Sequence, residues 1–451
     1  MANSLKRDSA ALLTILQRFP AFHSIKTWWL AYSGGVDSRV LLHWLSQLDL
    51  PVHAVYVDHG LQAASKQWAE HCHQTCAQLQ LPFTVMSVDA TPQHGESPEA
   101  AARRARYQAL GSLVKAGDCL LTAQHADDQA ETFLLQLMRG AGAAGLSAMP
   151  FAQTFHEGWL LRPLLEISRQ EIITAARSEN LAWVEDPSNS DERFDRNYLR
   201  QTIFPALIKR WPHTAQILYR AAQQQAENQA LLEALAEQDL ALQHLTVVLS
   251  VENLTQLDEP RQRNALRYWL EHNQVRMPSR AVMQQILSQL VHGREDAQAC
   301  VHWDDVALYC YRKQLHLQKN SQHDASQVLS WDGRQALIMS SIEQTLIFEK
   351  TNNAGLSPDM IGKTLQVKFR QGGEKIKPAG QAHTHTLKNL FQQQGVPPWL
   401  RDRIPLLYLS DELIAVCGYW VADAYAVKSG EGLMPKIKEK EMKKENANTP
   451  L

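Results

Sequence analysis

The sequence predicts an α/β protein: a parallel sheet with helices on both faces, followed by a mainly helical middle domain and a small α+β C-terminal domain. Three observations carry this expectation. Short apolar runs alternate with helix-spaced stretches from Thr27 to Leu137. From about Ile203 the pattern becomes long and rich in Gln, Ala, Glu and Leu, all strong helix formers. Beyond Val328 it breaks into short strands and turns around one helical stretch near Leu387 to Gln394.

Taken in order, Met1 to Phe19 carries Leu12, Leu13 and Leu16 at helical spacing and reads as a surface helix. Thr27 to Tyr32 is a short apolar run ended by a Gly-rich turn, and Val36 to Leu48 is helical. Val52 to Val57 is a second strand, Ser65 to Leu79 a helix and Phe83 to Val88 a third strand. Pro98 to Lys115 is helical, with proline near its first turn. Cys119 to Ala123 is a fourth strand and Ala126 to Leu137 the next helix. This is the alternation of a Rossmann-like sheet, in which ligands bind at the carboxyl ends of the strands. Helices follow at Ala221 to Ala241, Pro260 to His272 and Ser279 to Val291, then strand-like pieces at Ala299 to Trp303 and Val306 to Tyr311. The polar stretch Lys319 to Gln327 reads as a linker. The expected domains are 1–212, 213–320 and 328–430, with a disordered charged tail over 431–451.

Bulk properties bound the function. A chain of 451 residues predicts about two to four domains. It is 45% hydrophobic and 20% charged, as ordinary globular proteins are. No apolar run approaches the roughly 20 residues that span a bilayer, so no membrane role is expected. The N-terminus lacks the apolar core of a signal peptide, which leads us to expect a cytoplasmic protein. Six scattered cysteines argue against a disulfide framework. His71-Cys72-His73 with Cys76 lies inside an amphipathic helical stretch and reads as helix rather than as a zinc site. The net charge of −2 neither supports nor excludes RNA binding.

The most specific motif is Ser33-Gly34-Gly35-Val36-Asp37-Ser38, between a predicted strand and a predicted helix. Glycines let the backbone curl around an anion, and the following helix aims N–H groups and its positive dipole end at the same point. Asp37 would repel phosphate unless a Mg²⁺ ion lies between them. No Gly-x-x-x-x-Gly-Lys-Ser/Thr loop is present; Gly362-Lys363-Thr364 is its nearest imitation, with Gly355 at the wrong spacing. Gly140-Ala141-Gly142-Ala143-Ala144-Gly145 spells a dinucleotide fingerprint but follows a helix, so it reads as a flexible connection.

Three further clusters stand at strand ends or on helices. Tyr56-Val57-Asp58-His59-Gly60 ends the second strand, in the ligand crevice. Thr122 through Thr132 places Asp127, Asp128 and Glu131 near the first turn of a helix that His125 enters. The three carboxylates could hold Mg²⁺ or accept the ammonium of an amine substrate, and His125 or a carboxylate could take the amine's proton. By spacing alone they also fit an acidic helix start. Arg103, Arg106 and Tyr107 fall on neighbouring helix positions, where guanidinium groups suit phosphates and bases. Glu185-Asp186-Pro187-Ser188-Asn189, then Arg193, Arg196-Asn197-Tyr198-Leu199-Arg200, is a turn followed by a cationic helix that could face RNA. Both cationic stretches fit an ordinary solvated face equally well.

The hexapeptide resembles the pyrophosphate-binding loop of the N-type ATP pyrophosphatases. The full set is narrower: Ser33 to Ser38, Asp58-His59-Gly60, Ala102-Arg103 with Arg106-Tyr107, His125 through Thr132, Leu161-Arg162-Pro163-Leu164 and Glu185 through Arg200. In that order they resemble the tRNA(Ile)-lysidine synthetases. Val367 to Glu374, Lys377-Pro378, Lys388, Phe391, Pro397-Pro398-Trp399, Arg401 and Ile404-Pro405-Leu406 extend the resemblance into the C-terminal half. Gln62 departs from it, since many members carry Arg there.

The resemblance implies ATP and Mg²⁺ as cofactors, and L-lysine and the CAU-anticodon isoleucine tRNA as partners; it leaves a homodimer open. It implies attack of the wobble-cytidine C2 oxygen on the α-phosphate, loss of pyrophosphate, then attack of the lysine ε-amine on C2 with release of AMP. By the same resemblance Ser33, Gly34, Gly35, Val36, Asp37, Ser38, Val57 and His59 bind ATP, with Asp37 on the metal. Asp37, His125, Asp128, Glu131 and Arg106 are the expected catalytic residues. Asp127, Asp128, Glu131, Arg103, Arg196, Asn197, Arg200 and Arg370 are expected to bind lysine or RNA. A tRNA thiolase would need a reactive cysteine set or an iron–sulfur cluster, and none is spelled here. A non-catalytic RNA-binding relative would have little use for Asp37 and the three carboxylates.

Overall fold

The computed structural model describes residues 8–60, 65–93, 95–185, 194–241, 246–293, 299–319, 323–342 and 344–439. Gln62, the stretch 186–193 and everything beyond Glu439 lie outside them. The chain forms two compact units that divide between Leu232 and Glu233.

In the first unit, Asp8 caps α1 (Ser9–Leu16) by accepting from the Ala11 N–H, and Leu12, Ile15 and Leu16 are buried. β1 (Thr27–Ala31), α2 (Val36–Ser46), β2 (Val52–Asp58), α3 (Ser65–Gln78), β3 (Phe83–Ser87), α4 (Pro98–Leu113), β4 (Asp118–Leu121) and α5 (Ala126–Met138) follow as expected. α6 (Ala143–Leu146) forms where a flexible connection was expected. β5 (Ala152–Phe155) and β6 (Gly158–Leu161) make a hairpin that was not foreseen. α7 (Arg169–Ser178), α8 (Asp195–Tyr198), a π-helical stretch over Leu199–Ile203 and α9 (Phe204–Arg210) complete the order, and α10 (Thr214–Leu240) runs across the division between the units.

The sheet order is β3-β2-β1-β4-β6-β5, parallel except for β5. The chain builds outward from β1 to β3, then returns to place β4 on β1's other side. The order reverses between β1 and β4, so the loops at their carboxyl ends part and leave a crevice. Two apolar layers cover the two faces. One gathers Trp28, Leu41, Leu42, Trp44, Cys72 and Ile172; the other gathers Val55, Tyr107, Leu110 and Phe155. Each fully buried leucine there stabilises the fold by about 2 kcal/mol. β4 is buried along its whole length, as a central parallel strand should be.

In the second unit, β7 (Val248–Ser250), α11 (Val251–Thr255), α12 (Glu259–His272), α13 (Arg280–Gln285), β8 (Cys300–Trp303), β9 (Val306–Tyr311) and β10 (Gln314–Lys319) share a core around Leu266, Trp269, Ile286 and Leu308. The strands form a sheet in the order β7-β10-β9-β8. β11 (Leu329–Trp331), β12 (Leu337–Met339), β13 (Gln344–Asn352), β14 (Leu365–Lys368), β15 (Lys375–Ile376), β16 (His385–Thr386), α14 (Leu387–Gln393), α15 (Pro398–Arg401), β17 (Leu406–Leu409), β18 (Glu412–Val416), β19 (Trp420–Val421) and β20 (Glu431–Glu439) make the strand-rich remainder. The expectation of a disordered tail from 431 is corrected here. β20 pairs with β13 over nine positions, from Asn352 opposite Glu431 to Gln344 opposite Glu439. Its charges alternate with apolar Leu433 and Ile437, which face the core, so a low-hydrophobicity stretch is held by backbone pairing.

Candidate active site

The loop between β1 and α2 is shaped by glycine. Gly34 has φ +81°, and a Cβ there would lie 2.9 Å from Cys72 Sγ. Its carbonyl accepts from the Val184 N–H at 2.9 Å. Ser38, buried, donates to the Gly35 carbonyl at 3.1 Å and accepts from the Ser33 N–H at 3.3 Å, so it ties the loop to the first turn of α2. Gly35 caps α2 without any side-chain bond to the first-turn N–H groups. Those donors are left for an anion.

The loop floors a cavity of about 650 Å³, the size of a nucleotide site. Ser33, Gly35, Val36, Asp37 and Ser38 line it at the end of β1, Val57 and His59 at the end of β2, and Thr122 and Gln124 at the end of β4. Arg106 from α4, Asp128 from α5 and Arg200 from the π-helical stretch close the sides. Of the residues expected to bind ATP, all but Gly34 line this crevice.

Arg106 donates to His59 Nε2 from both Nε and Nη2, each at 3.2 Å. Burial, then the Arg106 charge, push the His59 pKa down to about 4. At neutral pH His59 is therefore an uncharged acceptor that aims the guanidinium. Arg103 stacks its guanidinium over Tyr107 at 4.9 Å, and Tyr107 accepts from Gln124 at 3.4 Å. Arg103 thus buttresses the wall rather than lining the cavity.

Three carboxylates surround His125, which is 1% exposed. Its Nδ1 accepts from the Asp128 N–H at 3.4 Å, and the Asp128 carboxylate accepts from the His125 N–H at 3.1 Å, a reciprocal cap of α5. The ring's other nitrogen, Nε2, lies 3.7 Å from Asp37 Oδ1 and 3.4 Å from Asp128 Oδ2. Asp37 Oδ1 is buried and has no hydrogen-bond partner. Burial raises the Asp37 carboxyl above its usual range and Asp128 adds to this, against His125, Arg169 and Arg200. Burial acts the same way on Asp128, but His125, Arg196 and Arg200 outweigh it and hold that carboxyl low.

Glu131, 1% exposed, is held from the other side. Arg200 grips it with two bonds of 2.7 and 2.9 Å and reaches Asp128 at 3.1 Å. Arg196 Nε lies 3.2 Å from Glu131, and its Nη2 donates to Thr132 at 2.9 Å. Asn197 sits half-buried on the same helix. Asp127 accepts from the Arg169 N–H at 2.8 Å, so it positions the start of α7. The sequence grouped these acids correctly but did not foresee that Glu131 is already paired. Arg169, Trp68 and Trp183 also line the cavity and were missed, because nothing local marks a residue that enters a crevice from a distant turn. Arg370 lies in the second unit, donating to Asp402 at 2.9 Å beside Glu374.

Comparison with known proteins places the chain in a family. Residues 7–207 match the family model of a PP-loop domain, so the class is that of the PP-loop proteins. Residues 249–316 match the TilS substrate binding domain, and 365–437 the TilS substrate C-terminal domain. The tRNA(Ile)-lysidine synthase of Coxiella burnetii is 40% identical over 407 residues, covering 89% of this chain and 91% of that one. That of Methylococcus capsulatus is 39% identical over 416 residues, covering 90% and 94%. That of Pectobacterium atrosepticum is 39% identical over 432 residues, covering 94% and 97%. The chain belongs to the tRNA(Ile)-lysidine synthase family. Among the described residues no helix is long and apolar enough to cross a membrane.

Proposed function

We propose that this protein spends ATP to couple L-lysine to C2 of the wobble cytidine of the CAU-anticodon isoleucine tRNA. One observation supports the reading most: a single cavity has an anion cradle at one end and the Asp37–His125–Asp128 cluster beside it. The cradle suits the β- and γ-phosphates, and the cluster lies where positive charge is needed.

The buried Asp37 Oδ1, which makes no hydrogen bond, fits a cation. Among the described residues no three His, Cys, Asp or Glu side chains form a full metal-ligand set. A partial protein shell is what Mg²⁺ uses when phosphates complete its coordination. Asp37, with Asp128 near it, would hold the ion, which would neutralise charge on the departing pyrophosphate.

The chain's own residues do the rest. The α2 N-terminus and Ser33 hold the pyrophosphate group, so the α-phosphate meets the cytidine C2 oxygen in line. Arg106, aimed by His59, lies at the wall where the α-phosphate's growing negative charge would be stabilised. The oxygen–phosphorus bond forms, the α–β bridge breaks and pyrophosphate leaves. The neutral lysine ε-amine then attacks C2, loses a proton and expels AMP. Asp128 faces the cavity with one oxygen toward His125 and is placed to accept that proton or orient the amine. His125, buried as a helix cap, acts as a positioning residue for both aspartates.

The reading is tested by pyrophosphate release from the purified chain with ATP and Mg²⁺, with and without the tRNA transcript. Release that requires the RNA is expected; RNA-independent release, or none, contradicts it.

A further inference from the structure

The helical rod that carries the Arg196–Arg200 pair ends in a feature the site does not use. Its near end is pinned by ion pairs to Glu131 and Asp128. Its far end is Lys209-Arg210-Trp211, where α9 stops and Pro212-His213 turns the chain into α10. Of the chain's 12 tryptophans, all among the described residues, Trp211 alone is largely exposed, at 55%. Lys209, Arg210 and His213 around it are exposed as well, and Ile217, one turn into α10, is 44% exposed. Among the described residues neither Lys209 nor Arg210 is paired with a carboxylate.

The local charge is one-sided. From Phe204 to Ala226 the chain carries Lys209, Arg210 and Arg220 and no acidic residue, although its net charge is −2. A large bare aromatic surface costs free energy in water, and unpaired cations beside it repel other basic surfaces. An aromatic face flanked by cations is the pattern of single-stranded nucleic-acid sites, where bases stack and phosphates meet Lys and Arg. A protein partner would be expected to bury a wider apolar patch with charge excluded from its centre. Eleven residues separate Arg200 from Trp211, about 16 Å of helical rise. A few nucleotides of a single strand cover that distance.

We propose that Trp211 with Lys209 and Arg210 is a stacking platform for an unpaired base of the RNA, a few nucleotides from the base that reacts. This rests on the RNA substrate of the preceding section. The rod would couple the platform to chemistry, because the helix that seats the flanking base also carries Arg200 onto Asp128 and Glu131. The π-helical stretch between them, a deviation common at functional sites, sets the rotation of one end against the other.

The test uses the full chain and a fluorescently labelled CAU-anticodon tRNA transcript, comparing wild type with Trp211→Ala, Trp211→Phe and Arg210→Ala. Affinity is read by anisotropy across a salt series, and turnover by pyrophosphate release. Trp211→Ala should weaken RNA binding and raise the KM for RNA roughly tenfold or more. The KM for ATP should not move, and the Tm should fall by no more than a few degrees, because more than half of the side chain is exposed. Trp211→Phe should restore most of the loss, and Arg210→Ala should lower the salt slope by about one. Unchanged RNA affinity in Trp211→Ala, no rescue by phenylalanine, or a change in oligomeric state instead would overturn the platform. Wild type that binds the RNA through Trp211 but does not modify it would leave the platform standing and remove the proposed reaction. Wild type that does not bind the RNA would overturn both.

Discussion

Asp37 Oδ1 is a carboxylate oxygen buried without a hydrogen bond, and it sits on the first turn of α2 with His125 Nε2 3.7 Å away. Burial raises its pKa, so the ionised form is less favoured in the fold than in the unfolded chain. The cost is absent in acid, where both states are protonated, and develops as pH rises above the ordinary value of 3.8. Asp37→Asn should therefore raise the Tm at neutral pH, and the gain should vanish in acid. The same change should abolish pyrophosphate release. A Tm that falls at neutral pH would show that Asp37 is a structural acid. His59 gives the opposite slope. Its pKa falls from 6.5 to about 4, so the unfolded chain binds its proton first as pH drops. Stability is lost across that window and levels off below it. His59→Gln keeps an acceptor for Arg106 and should lose less stability between pH 6.5 and 4, as urea titrations would show. Identical slopes in the two proteins would contradict the depressed value. The residue types and spacing made Asp37 and His59 legible as site residues; their protonation was not, because it depends on burial and on Arg106, 47 residues away from His59.

At the scale of elements, α5 and the α8–π–α9 rod face each other through Glu131 and Arg200. The sequence placed both elements, and placed the acids on one turn, because helical spacing fixes which residues share a face. It could not pair them, since that contact depends on tertiary packing. The consequence is specific. Glu131 is raised by burial and by Asp128, while Arg200 opposes the rise. Glu131→Ala leaves the half-buried Arg200 with Asp128 alone and should destabilise the protein by about 2 kcal/mol, besides lowering turnover. Chemical denaturation reads the first effect and steady-state kinetics the second. A variant as stable as wild type but inactive would assign Glu131 to substrate alone. The β5–β6 hairpin shows another limit. Its strands are four residues each, and Gly158 is required because a Cβ would meet the Asp118 carbonyl at 2.4 Å. That constraint comes from β4, not from the local pattern.

For the whole molecule, the first unit follows from alternation of strand and helix, and its site from the reversal of strand order between β1 and β4. The second unit was harder to read. Strands of two or three residues, such as β15 and β19, carry too few positions for a period to show. β20 was taken for tail because its charged residues lowered its hydrophobicity, yet nine backbone pairings to β13 hold it. Matching of 7–207, 249–316 and 365–437 to three domains of one family ties the two units to one task. The most direct test of that task is to incubate the full-length protein with ATP, Mg²⁺, lysine and CAU-anticodon isoleucine tRNA, then map the RNA by mass spectrometry. One lysyl adduct on the wobble cytidine, dependent on ATP, is the predicted result; RNA of unchanged mass, or lysine attached elsewhere, would contradict the account.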